Sequence, residues 1–228
     1  MENGPYGTST AKGLKEGAEK AGFHNIVLYQ PYDKDITDAG PLVTKIKSSG
    51  ANIVFATSYT PDAQLLVSTM KSMRVNPILI GGGAGFCWPA IEKAIGPSVN
   101  GVFSVGSWSW DVKNIMDVPA RYDVTQRYKK KYGVFMAEQA GEHYCAVWLL
   151  KDAIEKAHSA DPQKVRDALA KYEYPKGLVG MFQPGQIKFN AEGWNFHTFP
   201  TMIQWQNQVP RTVYPQSVAS TKVEWPVK

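Results

Sequence analysis

Apolar residues recur along the first hundred positions in two alternating rhythms. Short continuous runs at Ile26 to Tyr29, Ile53 to Ala56, Ile78 to Ile80 and Val102 to Val105 read as buried strands. Between them, residues 14–21, 42–48, 62–73 and 89–95 carry apolar positions at helical spacing. Asn3, Gly4, Pro5, Tyr6, Gly7, Thr8 and Ser9 supply turn and capping chemistry for the opening helix, and Gly22 stops it. Repeated strand and helix predict an α/β architecture, a doubly wound parallel sheet with helices on both faces.

The rhythm lapses between Trp108 and Pro119, a polar and aromatic connection. Helices are then predicted over 120–132, 138–157 and 163–172. From Gly177 onward short strands follow at Ile187 to Phe189, Met202 to Trp205 and Thr212 to Tyr214, parted by Gly, Pro and Asn turns. A doubly wound sheet that opens on a helix is unusual, because such a helix normally follows a strand. The expectation is that native sequence lies upstream of Met1.

Composition narrows the class of protein. The 228 residues are 43% hydrophobic and 20% charged, the balance of an ordinary globular chain. Net charge is +5, but the basic residues are scattered as pairs such as Lys45 and Lys47, with one short run at Lys129 to Lys131. That run closes a predicted helix, where cations complement the helix dipole, so nucleic acid is not an expected partner. No apolar stretch reaches the length of a membrane span, and Met1 to Tyr6 has neither the basic nor the apolar region of an export signal. Cys87 and Cys145 lack metal-ligand spacing and read as small buried thiols.

Catalytic patterns are missing or incomplete. His24, His143, His158 and His197 are spread without metalloprotease spacing, and no nucleophile elbow occurs. Asp35 and Asp38 read as loop and cap residues. The Gly81-Gly82-Gly83-Ala84-Gly85 loop lacks dinucleotide spacing, and Phe103 stands where an acidic ribose partner would be needed. The reading is a non-enzyme with no metal and no cofactor.

Several segments, taken in order, resemble the type I periplasmic binding proteins, and within them the branched-chain amino-acid (Leu/Ile/Val) receptors of ABC importers. They are Asn3 to Gly7; Asp35 to Pro41 with Leu42, Val43, Lys45 and Ile46; Ser58-Tyr59-Thr60-Pro61-Asp62-Ala63; Ile80 to Gly83; Gly101-Val102-Phe103; Tyr128 to Gly133; and Ala140 to Val147. The resemblance implies two α/β lobes joined by crossover strands, closing like a hinge on a small solute. It assigns residues 1–106 to the second lobe, 107–189 to part of the first, and 190–228 to a crossover and return to the second. The fold is then incomplete, a C-terminal fragment lacking most of the first lobe, with poor solubility or self-association expected. A periplasmic or extracytoplasmic location is implied, with a signal peptide on the absent part, as is a membrane permease as partner.

The same resemblance nominates ligand-binding residues. Tyr59 matches a family tyrosine that covers the ligand, and Tyr6 matches another that reaches into the cleft. Gly83 and Ala84 lie on a tight turn on the ligand side. Amino-acid receptors carry an acidic residue in this loop to pair with the ligand ammonium, whereas Gly83 stands here, so the expected solute is a small amino-acid-like or aromatic carboxylate and not necessarily an amino acid. Phe86, Trp88, Trp108 and Trp110 fall in loops on or near the strand-end side, suiting an aromatic or apolar carboxylate. Phe86 and Trp108 are therefore added as candidate contacts. The alternative function is a ligand-sensing module of the same fold that regulates a partner protein.

Overall fold

Among the described residues six α-helices carry a proline in their first turn: Pro5, Pro41, Pro61, Pro89, Pro119 and Pro162. At that position the missing N–H has no intrahelical partner to lose and the fixed φ already suits a helix, so these residues set where the chain turns inward. The computed structural model describes residues 1–174, 177–182 and 185–226. In chain order the elements are α1 (Pro5–Lys20), α2 (Gly40–Ser49), β1 (Ile53–Ala56), α3 (Thr60–Ser72), β2 (Ile78–Gly81), the one-turn α4 (Gly83–Phe86), α5 (Pro89–Ile95) and β3 (Phe103–Gly106). The short α6 (Lys113–Met116), α7 (Pro119–Tyr132), α8 (Glu138–Ala157) and α9 (Pro162–Lys171) follow, then β4 (Thr201–Gln206) and β5 (Val209–Tyr214).

The strands form one sheet in the order β1-β2-β3-β4-β5. β1 and β2 are parallel with Ile53 opposite Ile78, and β2 and β3 are parallel with Ile80 opposite Phe103. Parallel neighbours require a helical crossover, which α3 and α5 supply. β4 joins through Trp205, whose N–H donates to the Val102 carbonyl at 2.9 Å while its own carbonyl accepts from Gly101 at 2.8 Å. A two-residue turn at Asn207 and Gln208, φ 52° and 63°, connects β4 to β5. Left-handed φ at both central residues marks the hairpin turn whose twist matches its flanking strands.

The described chain separates into two compact units. The first comprises Met1–Val105, Met202–Pro210 and Val223–Lys228; the second comprises Gly106–Thr201 and Arg211–Lys222. The core of the first is built from Val43, Leu66, Val67, Leu79, Phe86, Ile91, Ile203 and Trp205, all buried. In the second, Trp108, Val112, Ile115, Met136, Cys145 and Met181 form one cluster. Leu149, Ala153, Val165, Tyr174 and Ile187 form another beneath α8 and α9.

The later main helices fall where the apolar spacing places them, with ends displaced by a residue or two, but α1 starts at Pro5, so residues 5–9, expected as turn and cap, are already helical. Three further expectations are corrected. Ile26 to Tyr29 forms no strand among the described residues; the nearby ladder contact is an isolated parallel bridge between Glu2 and Tyr32. Ile187 to Phe189 makes isolated bridges to Tyr174 and Asn195 instead of a strand. The Trp108 to Pro119 connection contains α6, whose Ile115 is fully buried. In each case the apolar pattern marks burial or pairing potential, and the available partner decides the backbone.

Candidate functional site

β1 and β2 end side by side in the first unit, and their carboxyl ends carry the residues of interest. After Ala56 the chain continues through Thr57 and Ser58 to Tyr59, the extended residue that caps α3. Beyond Gly81 the Gly82 N–H donates to the Ala56 carbonyl at 2.9 Å, prolonging the ladder by one rung before α4 begins. The two loops are thereby held against each other.

Close packing explains the glycines here. A Cβ on Gly81 would lie 2.1 Å from the Phe86 ring, and one on Gly85 would lie 2.5 Å from the Ser58 carbonyl oxygen. A Cβ on Gly82 would meet the Tyr6 hydroxyl at 2.5 Å. The loop thus lets backbone approach backbone and ring, the role of glycine where no side chain fits. Cys87 donates its thiol to the Gly83 carbonyl at 2.6 Å and closes the turn.

Tyr6, in the first turn of α1, reaches this loop and accepts from the Ala84 N–H at 3.4 Å. Its ring lies 5.2 Å from that of Tyr59, tilted by 44°. This is a favourable aromatic pair, and Tyr59 remains 44% exposed. Tyr6, Tyr59, Gly83 and Ala84 are therefore brought into one neighbourhood, an aromatic surface beside a glycine-rich backbone at strand carboxyl ends, the place where open α/β sheets receive ligands.

Phe86 and Trp108 are both buried. Phe86 has no exposed area, fills the space above Gly81, and offers its carbonyl to the Trp205 indole N–H at 2.7 Å. Trp108 belongs to the second unit's core, where its indole N–H donates to the Met181 carbonyl at 2.9 Å and its ring lies where a Cβ on Gly141 would fall. Both are core aromatics with no surface to offer a solute in this structure. Trp110, also of the second unit, is partly buried and carries the Arg211 guanidinium 5.6 Å from its ring centre.

A buried polar network beneath Tyr59 escaped the sequence reading. The Tyr32 hydroxyl donates to Asp62 Oδ2 at 2.6 Å and lies 2.5 Å from Ser58 Oγ, which donates to it in turn. Burial pushes the Asp62 carboxyl up, partly offset by the Tyr32 hydroxyl and by backbone donors at Tyr59 and Asp62. Burial and the neighbouring Asp62 likewise raise the Tyr32 phenol. Glu2, also buried, accepts from the Gly4 N–H at 2.5 Å and from the Gly7 N–H, satisfying the open amides at the start of α1. These groups fix the backbone on either side of Tyr6 and Tyr59. The sequence signal was slight: an acid in the first turn after a proline, and a tyrosine between Pro31 and Asp33.

Comparison with known proteins identifies the fold. Residues 2–201 match the model of the periplasmic binding protein family, and the chain belongs to that family. It is 29% identical over 230 residues to Leu/Ile/Val-binding protein homolog 7 of Brucella suis biovar 1 (strain 1330), covering 99% of this chain and 56% of that one. Among solved structures it resembles the branched-chain amino acid transporter substrate binding protein LivJ from Streptococcus pneumoniae, in complex with isoleucine (TM-score 0.73, 18% identity, 93% of this chain and 57% of that one). It also resembles a fatty acid ABC transporter substrate-binding protein from Thermomonospora curvata (TM-score 0.72, 17% identity, 98% and 58%). The chain spans about half the length of the curated relatives it matches. Its type I periplasmic-binding-protein fold is thus shown.

Proposed function

We propose that this chain is the solute-binding part of an extracytoplasmic component of an ABC importer, that it performs no chemistry, and that it takes an apolar or aromatic monocarboxylate. The carrying observation is the Tyr6–Tyr59 pair beside the Gly82 to Ala84 backbone, on a loop with no acidic side chain from Gly81 to Trp88. A ligand ammonium stripped of water needs an anionic or multiply accepting partner, because an unpaired buried charge costs several kcal/mol. This loop offers glycine and alanine in that position. Tyrosine rings instead reward a flat or apolar body by area burial and stacking.

Relatives named for leucine, isoleucine and valine on one side and for fatty acids on the other support a carrier role and leave the solute class to the loop chemistry. Amino-acid-like solutes stay within the proposed class only where the ammonium is replaced or capped. A permease partner and a location outside the cytoplasm follow from the same reading.

The test is a thermal-shift and calorimetric series with leucine, isoleucine, phenylacetate, 4-hydroxybenzoate, hexanoate and octanoate. A ligand that binds only the folded state raises the midpoint by mass action. Shifts with the monocarboxylates and none with the free amino acids support the proposal. Preferential binding of leucine or isoleucine overturns the solute class, and silence across the series overturns the carrier assignment.

A further inference from the structure

The chain enters the second unit through Gly106 and Ser107, and two glutamates of α8 close on that entry. Glu138, buried in the first turn of α8, accepts from the Ser107 N–H at 2.5 Å and from Ser107 Oγ at 2.7 Å. The same Ser107 Oγ is hydrogen-bonded to Glu142 Oε1, one helical turn further on. A Cβ on Gly106 would lie 3.0 Å from Glu138 Oε1, so the carboxyl rests against the entering backbone itself. The Gly106 carbonyl in turn accepts from Thr201 Oγ1 at 3.2 Å, and residues 201–202 are where the chain leaves this unit again.

This arrangement is one proton short if both glutamates are ionised. A serine hydroxyl donates one hydrogen and a carboxylate donates none. With two carboxylates, one of the two contacts to Ser107 Oγ would set lone pair against lone pair at hydrogen-bond distance. Both contacts are satisfied when one carboxyl is protonated: Ser107 Oγ–H donates to Glu138, and the Glu142 carboxyl donates to Ser107 Oγ. The reverse assignment needs the same single proton. An acid in the first turn of a helix is ordinary, because the open amides and the dipole favour it, and that accounts for Glu138. It does not account for Glu142, a turn further in, where a second like charge at i, i+4 is repelled.

We propose that Glu138 and Glu142 hold one proton between them across Ser107 Oγ, forming a clasp on the entry to the second unit that is closed with the proton bound and opened on its loss. The lost proton goes to solvent. Ser107 Oγ–H then serves Glu138 alone, and the half-buried Glu142 turns away from its buried neighbour. The surrounding charges are few. Burial raises the Glu142 carboxyl above its ordinary value; the Ser107 hydroxyl opposes this, the Glu138 charge adds to it, and the exposed His143 offsets part of it. Cys145, on the same helix, feels the Glu142 charge, and Arg121 of α7 faces that thiol.

The experiment is a side-chain carboxyl and backbone amide NMR titration of the full chain between about pH 4 and 8. One step of the pair is expected to titrate above the other glutamates, because coupled carboxyls lose their protons in two separated steps. The Ser107 amide shift should follow that upper midpoint, and its exchange protection should fall by about fivefold or more above it. Glu142→Gln keeps the size and offers Ser107 Oγ an N–H that does not titrate, so it should remove the upper step and hold Ser107 protection high and flat. Glu138→Gln removes the opposing charge and should lower the Glu142 midpoint. The proposal is overturned if both carboxyls titrate among the other glutamates, if the Ser107 amide ignores the upper midpoint, or if Glu142→Gln keeps the pH response.

Thermal melts give an independent readout. A carboxyl raised on folding contributes its full stability below the ordinary glutamate value and loses it as pH rises through the raised one. The midpoint of the parent chain should therefore fall relative to Glu142→Gln across that interval, whereas parallel curves would sink the clasp.

Discussion

The indole N–H of Trp205 donates to the carbonyl of Phe86 at 2.7 Å, joining a strand near the end of the chain to the one-turn helix that follows β2. Both side chains are fully buried, so the bond forms without competition from water. It holds the far end of the glycine loop while Tyr6 holds the near end at Ala84. Trp205→Phe keeps most of the apolar volume and removes the donor, stranding the Phe86 carbonyl. Urea denaturation should show a loss of about 1–3 kcal/mol. An unchanged midpoint would mean the carbonyl finds another donor.

Tyr59→Ala separates binding from folding. Its ring is nearly half exposed, so stability should change by less than about 1 kcal/mol. Affinity for an aromatic or apolar carboxylate should fall about 10- to 100-fold by calorimetry, the share of one stacked ring and its buried area. Equal affinity in the variant would remove Tyr59 from the site.

Glycine-to-alanine substitutions should split by sign. Gly85→Ala drives a methyl into the Ser58 and Tyr59 carbonyls, at 2.5 and 2.9 Å, and should destabilise by about 1–3 kcal/mol. Gly13→Ala, inside α1 with nothing near its Cβ, should stabilise by about 0.5–1 kcal/mol because alanine restricts the unfolded chain. Thermal melts of the pair check both directions at once.

Asp111 ties the end of the second unit to its start. Fully buried, it accepts from Ser109 Oγ at 2.9 Å, the Thr212 N–H at 3.1 Å, Thr212 Oγ1 at 2.5 Å and Ser220 Oγ, and it pairs with Arg211 at 3.1 Å. Asp111→Ala leaves those donors and a partly buried guanidinium unanswered. The expected loss is about 3–5 kcal/mol in denaturant titration.

Cys145 reports on the second core through pH. Burial first, then the nearby Glu142 charge, push its thiol up to about 12, against 9.0 for a free one. The unfolded chain ionises this thiol sooner, so the folded state binds more protons between those values. Its contribution to stability is complete below about pH 9 and is lost as pH rises toward about 12. Iodoacetamide at pH 8.5 should label Cys145 in denaturant and spare it in the native chain; rapid native labelling would contradict its burial.

Much of this architecture was legible in sequence because helix-forming segments carry their own instructions. The Pro89 to Ile95 helix and the Glu138 to Ala157 helix have the bounds their spacing indicates, since proline entry and i, i+4 apolar rows are local properties. Ile26 to Tyr29 shows the limit. Its β-branched run is strand material, but a strand exists only where a neighbour supplies rungs, and the described chain supplies them only as far as Gln30 and Tyr32.

The candidate site was readable to the same extent. Tyr59, Gly83 and Ala84 follow the ends of β1 and β2, which sequence order reveals, whereas Tyr6, in the first turn of α1, was nominated by family resemblance alone. Phe86 and Trp108 looked equivalent in sequence and differ only in what covers them, a three-dimensional property. Tyr32 and Glu2 act through partners dozens of residues away or through backbone amides, and no local pattern announces that.

The four passages of the chain between the two units, at 105–106, 201–202, 210–211 and 222–223, bear on the order of folding. Residues 1–105 emerge from the ribosome early, but Trp205, the partner of Val102 and Phe86, emerges after nearly the whole second unit. The second unit likewise waits for Thr212 and Ser220 to satisfy Asp111. Neither unit has all of these partners until residues 202–220 are made. Such long-range closure is slow and leaves apolar strands uncovered meanwhile. Both units therefore wait on the same late stretch, and synthesis halted before Met202 would leave each of them without partners it needs.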